Sequence, residues 1–361
     1  LKNRAVGWQQ QGYMTRPVQD ALRDVLRISR YANDIFGEIA TNHPRLGEGE
    51  QSYRAFGGPP EMTLINPNFG QVSFQSGDVV LVRGMLHNSA AIARSGDVDT
   101  QYSHVGIVHV HPKTGVKSMV EALIEEGALI NQLDHALAHS VGRAALYRHH
   151  DRALAERAAD AIYWHVKRSR SFGGTIIPYD FSMQLGSYKE LFCSKLIRLA
   201  FDKGSRGKIK LPTFKTQFGM KNRDFFKRIG VKATETFAPG DLEIEPGFDL
   251  VAEWQDYRVT SRMRLQDLAM TKLFEWSERD DLRYHEDFKV RLISLFGRLS
   301  SYLSDDAKNM VRSVVPKVPN NMRRSAIAAV AMLHYTAEPL LLGLIAFGAL
   351  AQADDCKNRG Q

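Results

Sequence analysis

Two apolar segments joined by a four-residue turn constrain the fold of this chain more than any other feature. Residues 104–111 and 116–122 have the Val, Ile and Met content of buried strands. Between them, residues 112–115 read Pro-Lys-Thr-Gly, in which Pro and Gly favour a tight turn. Residues 78–83 form a further apolar run after Ser76-Gly77. The pattern predicts an antiparallel hairpin within a sheet.

The turn also predicts which residues face each other. If His111 pairs with Val116, then His104 lies opposite Leu123. Glu121 is then a diagonal neighbour of His104 on the same face of the sheet, within reach of a long side chain. Apolar residues flank Glu121, so we expect this acid to be partly buried and to have a partner, although a solvated acid is the simpler interpretation.

Helices are predicted on both sides of this region. Helical periodicity covers residues 15–39, 152–168 and 191–202, and it returns after Asp256. Residues 40–70 are rich in Gly, Pro and Asn, which predicts a loop. The mixture of strands and helices places the chain in the α+β class.

The chain has two cysteines, Cys193 and Cys356, so disulfides do not form its framework. Cys193 lies at the predicted start of the helix over 191–202. The positive end of a helix dipole favours the thiolate, which is the reactive form of cysteine. A buried structural thiol is the alternative, because cysteine is among the most buried residue types.

A nucleophilic cysteine requires a base, and His104 at the start of a strand is the candidate. An imidazole within hydrogen-bond reach of a thiol accepts its proton, whereas an isolated histidine is more often structural. His109 and His111 share one strand face, but no Cys or acid cluster with ligand spacing accompanies them, so we expect no metal and no cofactor.

Five ordered motifs resemble those of the YiiX/YebB-like cysteine hydrolases, a permuted branch of the NlpC-like papain superfamily that also includes the lecithin:retinol acyltransferase group. They are Gly77-Asp78-Val79-Val80-Leu81-Val82, Tyr102-Ser103-His104-Val105-Gly106-Ile107-Val108, Val120-Glu121-Ala122, Pro178-Tyr179-Asp180-Phe181 and Leu191-Phe192-Cys193-Ser194-Lys195-Leu196. In papain-like enzymes the cysteine precedes the histidine. Here the order is reversed, as in the permuted branch. The resemblance implies a circularly permuted papain-like domain.

The resemblance also implies roles for individual residues. Cys193 corresponds to the nucleophile, His104 to the base and Glu121 to the residue that orients the base. Tyr179 corresponds to a tyrosine near the active site, and Tyr179 and Tyr102 are candidate contacts for substrate or oxyanion. The implied chemistry is acyl transfer through a thioester.

One position departs from the family pattern. Lys195 stands where the family usually has Glu after Cys-Ser, which puts the electrostatics on the substrate side in question. We predict an N-terminal helix and loop over 1–73, a catalytic domain over 74–258 and a helical region over 259–361, with a boundary near 258–262.

Two features favour a lipid substrate. Residues 203–228 combine nine Lys or Arg residues with four Phe residues, a composition suited to an anionic membrane surface. Residues 326–353 form the most apolar stretch, interrupted by His334, Glu338 and Pro339. They suit a helical hairpin that dips into a membrane, with halves of about 13 residues that are too short to span it, although an apolar hairpin of this kind more often packs on its own domain. The alternatives are a solvated basic loop and a hairpin packed on its own domain.

The leading hypothesis is therefore a cysteine acyl hydrolase acting on phospholipid at a membrane surface. An amidase that cleaves peptidoglycan or other amide bonds uses the same mechanism and is the first alternative. The second is a non-enzymatic basic protein, permitted by the net charge of +8, that binds nucleic acid with strong salt dependence. No nucleic-acid recognition motif supports it, so no nucleic acid is expected as a partner.

Residues 1–20 contain no continuous apolar stretch of signal-peptide type. We expect synthesis as a soluble protein, with export or delivery to a membrane or cell envelope as its destination. Some bacterial relatives are delivered toxins, and for such a protein a neutralising partner is the expected counterpart.

Overall fold

A computed structural model describes residues 2–42, 62–65, 72–138, 141–300, 318–319 and 321–358. The strands are β1 (Met62–Ile65), β2 (Val79–Gly84), β3 (His104–Val110), β4 (Lys117–Leu123), β5 (Gly127–Gln132), β6 (Val141–His149), β7 (Thr216–Gln217), β8 (Glu235–Thr236) and β9 (Phe248–Gln255). The helices are α1 (Lys2–Gln10), α2 (Arg16–Asn42), α3 (His87–Arg94), α4 (Leu133–Ala138), α5 (Arg152–Ser169), α6 (Cys193–Gly204), α7 (Asp224–Ile229), α8 (Asp241–Ile244), α9 (Thr260–Arg279), α10 (Phe288–Ser300) and α11 (Arg324–Asn358).

The main sheet is antiparallel, with its described strands in the order β1-β9-β6-β2-β3-β4-β5. β2, β3 and β4 match the predicted strands to within a residue at most ends, and the α+β class is confirmed. The prediction of a loop over 40–70 was wrong for residues 62–65, which form β1 on the outer edge beside β9. Residues 43–61 and 66–71 lie outside the described residues.

The predicted hairpin has the predicted register. Ile107 pairs with Val120, and the His111 amide donates to the Val116 carbonyl at 2.9 Å. The turn chemistry of residues 112–115 is therefore sufficient to align β3 with β4, and it brings the acid of β4 towards the histidine of β3.

The core lies on both faces of the sheet, which explains the uninterrupted apolar run of β2. Val79 and Leu81 face a layer that contains α5 and α6, whereas Val80 and Val82 belong to a second cluster that includes residues of α4. A strand covered on both faces cannot alternate apolar with polar residues. The first of these two layers holds α6, the helix that carries Cys193.

Buried ion pairs attach the N-terminal helix α2 to α8 and β9. Arg23 contacts Asp241 at 2.8 Å, and Arg30 contacts both Glu243, at 2.5 Å, and Glu253. All five side chains are buried. Loss of one partner from such a pair leaves an unpaired buried charge, which typically costs about 3–5 kcal/mol. The helix is thus held to the catalytic domain by charge as well as by apolar contact.

The C-terminal region is helical, as predicted, but the apolar stretch 326–353 is not a hairpin. It lies within the single helix α11, which continues through Pro339. The residues Arg324–Phe347 are long and apolar enough to cross a membrane, with a mean hydropathy of 1.5, and 17% of the most apolar window is buried. One helix that meets this criterion is weak evidence for a span, because core helices of soluble proteins also meet it. The low buried share means that most of this window is exposed, although one side of α11 contributes to buried clusters.

Candidate active site

The structure brings His104, Glu121 and Cys193 together, although they come from three different elements. His104 is the first residue of β3, Glu121 lies within β4, and Cys193 is the first residue of α6. His104 Nε2 contacts Glu121 Oε2 at 2.6 Å. The His104 ring and the Cys193 thiol are close enough to influence each other's pKa. Because Glu121 occupies Nε2, Nδ1 is the ring nitrogen left to interact with the thiol.

These contacts shift the pKa values of histidine and thiol in opposite directions. Burial lowers the pKa of His104, but the hydrogen bonds and negative charges of Cys193 and Glu121 outweigh burial and raise the pKa to about 10. Burial raises the pKa of Cys193, but the hydrogen bond and positive charge of His104, aided by Ser194, lower it overall. Both shifts favour the charged forms of the pair, the thiolate of Cys193 and the imidazolium of His104.

The start of α6 supplies donors for a developing negative charge. Its N-cap residue, Phe192, makes no side-chain cap, and the first backbone bond of the helix runs from the Leu196 amide to the Phe192 carbonyl. The amides of the first turn have no carbonyl partner within the helix. Such amides can stabilise an oxyanion formed next to Cys193 Sγ.

Tyr179 lies beside this helix start. The Leu191 amide donates to the Pro178 carbonyl at 3.0 Å, and the Asp180 amide donates to the Leu191 carbonyl at 3.3 Å, so the two segments run side by side. Burial and the nearby Cys193 raise the pKa of Tyr179 well above its ordinary value. Within the described part of the chain its hydroxyl has no hydrogen-bond partner. The phenol is therefore a neutral donor near the thiol, and its contact with substrate stays a prediction.

Tyr102 does not fit the role predicted for it. Its side chain is fully buried, and its hydroxyl donates to Glu253 at 3.3 Å. The Arg30 guanidinium lies over its ring at 4.9 Å. Tyr102 thus belongs to the buried charge network beneath α2, where no substrate can reach it.

Asn131 is a site residue that the sequence pattern did not reveal. Its Nδ2 donates to Glu121 Oε1 at 2.7 Å, while Glu121 Oε2 holds His104. Asn131 comes from β5, where it pairs with Met119 of β4. Both carboxylate oxygens are therefore fixed, and the acid cannot rotate away from the imidazole. The sequence could have indicated this residue only through the register of β5 against β4. The turn that precedes β5 sets that register.

Lys195, which stands where the family usually has Glu, has a buried acidic partner. Lys195 Nζ contacts Asp180 Oδ2 at 2.6 Å, and both residues are buried. The ammonium is directed at the segment that carries Tyr179, so its charge is neutralised before it can act on substrate. The pair also anchors that segment to α6.

The basic segment 203–228 does not present its aromatic rings to solvent. Phe225 and Phe226 are buried in a cluster with residues of α3, α9 and α11. Phe218 packs on Phe226 with ring centroids 5.0 Å apart, and Phe214 packs on the cluster of the first two helices. The prediction of aromatic insertion into a membrane from this segment was therefore wrong, because these rings complete the core.

His109 is also a structural residue. Its Nε2 contacts Asp160 Oδ1 at 3.0 Å, and its ring stacks on Tyr163 with centroids 3.9 Å apart. The described residues contain one group with a donor set suited to a metal ion, and it comprises His87, His334 and Glu338 on α3 and α11.

Comparison with known proteins agrees with this geometry. Residues 73–267, more than half of the chain, match the model of the permuted papain-like amidase enzymes, YaeF/YiiX, C92 family. No curated protein matches the sequence. The match covers the hairpin, the Tyr179 segment and the helix that begins at Cys193. The reversed order of histidine and cysteine, the packing of α6 on the antiparallel sheet and this match together show that the chain belongs to the YaeF/YiiX family of permuted papain-like amidases and is, by class, a cysteine hydrolase.

Proposed function

We propose that this cysteine hydrolase acts at a membrane surface and cleaves acyl groups from lipids through a thioester on Cys193. The proposal rests on one observation. The solvent-facing sides of α10 and α11 are apolar, whereas the solvent-facing side of an ordinary surface helix is polar. A soluble monomer rarely leaves a continuous apolar face of this kind uncovered, and such faces are typical of membrane or protein interfaces.

Helix α10 has its apolar side turned to solvent. Val290, Ser294 and Gly297 face the protein, a spacing of three to four residues. The exposed positions are mostly large and apolar, and they include Phe288, Leu292, Leu295, Phe296 and Leu299. The exposed cations Lys289 and Arg291 accompany them. Exposed apolar side chains flanked by cations are the composition of a helix that lies in the interface of an anionic membrane.

Helix α11 extends the same kind of surface. Leu342 and Phe347 are 53% and 74% exposed. On its other side α11 packs on α3, α7, α9 and α10, so we assign it to the membrane surface rather than to a span.

The segment before α11 contacts the active site. Asn321 Nδ2 donates to the Tyr179 carbonyl at 2.7 Å. Phe181 packs on the cluster formed by Val318, Met322 and Ile327. A membrane bound to α10 and α11 would therefore adjoin the segment that carries Tyr179, which supports delivery of a lipid to Cys193.

The chemical steps follow from the ion pair. The Cys193 thiolate attacks the carbonyl carbon of the acyl group, and first-turn amides of α6 stabilise the oxyanion. The tetrahedral intermediate collapses to a thioester, and His104 gives its proton to the leaving alcohol. A water molecule then loses a proton to His104 and attacks the thioester, which releases the fatty acid and restores the thiolate.

The second candidate function is cleavage of an amide, such as a peptidoglycan peptide. The family description favours it, since the matched family is one of amidases. The same residues would act, with His104 protonating an amine instead of an alcohol. The two candidate functions differ in substrate. They also differ in the role of α10 and α11, because only cleavage of a membrane lipid requires these helices to bind a membrane.

An assay of both substrates tests the proposal. Purified protein is incubated with vesicles of anionic and zwitterionic phospholipid and, separately, with soluble peptidoglycan peptides, and released fatty acid and amine are measured. We expect fatty acid release that is absent in Cys193→Ala. Cleavage of the peptides alone would refute the lipid proposal and favour the amidase.

A surface variant tests the role of α10. Phe296→Ser should weaken vesicle binding and raise the apparent KM for vesicles, because it removes an exposed apolar side chain from the proposed interface. The matched control is Phe172→Ser, which removes a fully exposed Phe that follows α5. Equal effects of the two substitutions would contradict a membrane role for α10.

A further inference from the structure

Three metal-binding side chains meet where α11 crosses α3. His87 is the first residue of α3, whereas His334 and Glu338 lie one turn apart on α11 and so share a face. One donor atom from each of the three lies within 4.8 Å of the others. About two thirds of the chain separates His87 from the two residues of α11, so the fold brings them together.

The hydrogen bonding of His87 is incomplete. Its side chain is 5% exposed, and Nε2 contacts Glu338 Oε2 at 2.5 Å. The other ring nitrogen, Nδ1, is buried and has no hydrogen-bond partner among the described residues. A buried polar atom without a partner is unfavourable whichever neutral tautomer is present. With the proton on Nδ1, the lone pair of Nε2 faces the Glu338 carboxylate at 2.5 Å, and a cation bound between these two atoms would replace that repulsion with two bonds.

We propose that His87, His334 and Glu338 form a zinc site that joins the C-terminal helix to the catalytic domain. Two imidazoles and one carboxylate are a common ligand set for Zn²⁺, with a fourth position left for water or another ligand. Imidazole donors select zinc, cobalt or nickel over magnesium or calcium, which prefer oxygen ligands only.

The distances permit this assignment. In a tetrahedral site with bonds of about 2.0–2.1 Å, the donor atoms lie about 3.3 Å apart. The Glu338 carboxylate must therefore move back from His87 Nε2, and the other donors must close in from 4.8 Å or less. Glu338 is 31% exposed and His334 is exposed, so both can adjust, whereas buried His87 is fixed.

One cation competes with the metal. Arg262 Nη2 lies 3.4 Å from Glu338 Oε1, and its side chain is 48% exposed. An exposed pair at this distance contributes little, so Zn²⁺ can displace the guanidinium into solvent.

Binding of zinc to the tag-free chain tests the site. Calorimetric titration with Zn²⁺ should show one ion per chain, and Zn²⁺ should raise the Tm. Co²⁺ should give the visible absorption bands of a tetrahedral site with nitrogen and oxygen ligands. His334→Ala should weaken binding by at least about 100-fold, since loss of outer-shell partners alone costs 10- to 100-fold.

His334 is the ligand to replace first because it is exposed. Replacement of the buried His87 could disturb folding. Glu338→Gln is a second test that keeps the size of the side chain, and it should also abolish the Co²⁺ bands. His285→Ala is the matched control, since it removes another exposed histidine and should leave Zn²⁺ binding intact. The proposal is overturned if Zn²⁺ does not bind saturably, or if His334→Ala binds it as tightly as the unchanged chain.

Discussion

Two histidine–glutamate contacts of nearly equal length lie in different parts of this molecule. His104 meets Glu121 at 2.6 Å between neighbouring strands, and His87 meets Glu338 at 2.5 Å between two helices. The difference is at the second ring nitrogen. In His104 it is left to interact with the nearby Cys193 thiol, whereas in His87 it has no partner among the described residues. A carboxylate on an imidazole therefore does not define a catalytic base, and the group on the opposite side of the ring decides what the ring can do.

The largest expected effect comes from removing the group that distinguishes the two contacts. Cys193→Ala leaves the His104–Glu121 contact in place but removes the proposed nucleophile. We expect activity to fall by at least about 10³-fold, because the remaining amides and binding surface account for only a part of catalysis. The measurement is kcat/KM on the best substrate found. Substantial residual turnover would mean that His104 and Glu121 act without the thiol.

The next largest effect concerns the carboxylate. Glu121→Gln keeps an acceptor for His104 Nε2 but removes the negative charge that helps to hold the ring as imidazolium. We expect kcat/KM to fall by about 10²-fold, within the range of general acid–base contributions. The measurement is kcat/KM as a function of pH, since a purely structural defect would not move the profile.

The same variant separates the two histidine–glutamate contacts. Glu121→Gln should leave the Tm increase caused by Zn²⁺ unchanged, because Glu121 does not belong to the proposed metal site. If Glu121→Gln also abolished the response to Zn²⁺, the two contacts would not be independent.

The pH profile of the unchanged enzyme gives a smaller but more specific effect. The thiolate of Cys193 is present above its lowered pKa, and the imidazolium of His104 is present below its raised pKa of about 10. Activity requires both charges, so kcat/KM should rise to a plateau below pH 9 and fall again as the pH passes 10. In Glu121→Gln the alkaline limb should move to lower pH. A profile that rises only above pH 9 would exclude the resting ion pair.

The two contacts also differ in how far the sequence could predict them. Glu121 lies 17 positions after His104. The turn over 112–115 fixes the register of the two strands that carry them, so local patterns were sufficient. The contact between His87 and Glu338 depends on how α11 crosses α3, which no local pattern encodes. Pro339 predicted a break in the helix, yet α11 continues through it. A proline removes one backbone donor from a helix, and the packing of α11 on neighbouring helices supports it despite this loss.

Prediction was weakest where a residue's role depends on the direction of its side chain. The phenylalanines of 203–228 were interpreted as a membrane surface, but Phe225 and Phe226 fill the core. Tyr102 stands in the same motif as His104, but its hydroxyl turns to Glu253. Composition and spacing identify which residues are near one another along the chain, whereas the packing of α2, α9 and α11 decides which of them are buried.

The smallest effect tests whether the carboxylate must be fixed as well as present. Asn131→Ala removes the hydrogen bond to Glu121 Oε1 and leaves the charge and the His104 contact intact. A single hydrogen bond contributes about 1 kcal/mol, so we expect kcat to fall about fivefold, with KM nearly unchanged. Asn131→Gln, with a longer amide, should recover little, because the bond depends on the register of β4 and β5. If Asn131→Ala lowered kcat as much as Glu121→Gln, orientation rather than charge would be the main contribution of the acid. The contrast with Glu338 would then be one of rigidity, since Glu338 is 31% exposed and its second oxygen is held only by the exposed Arg262 among the described residues.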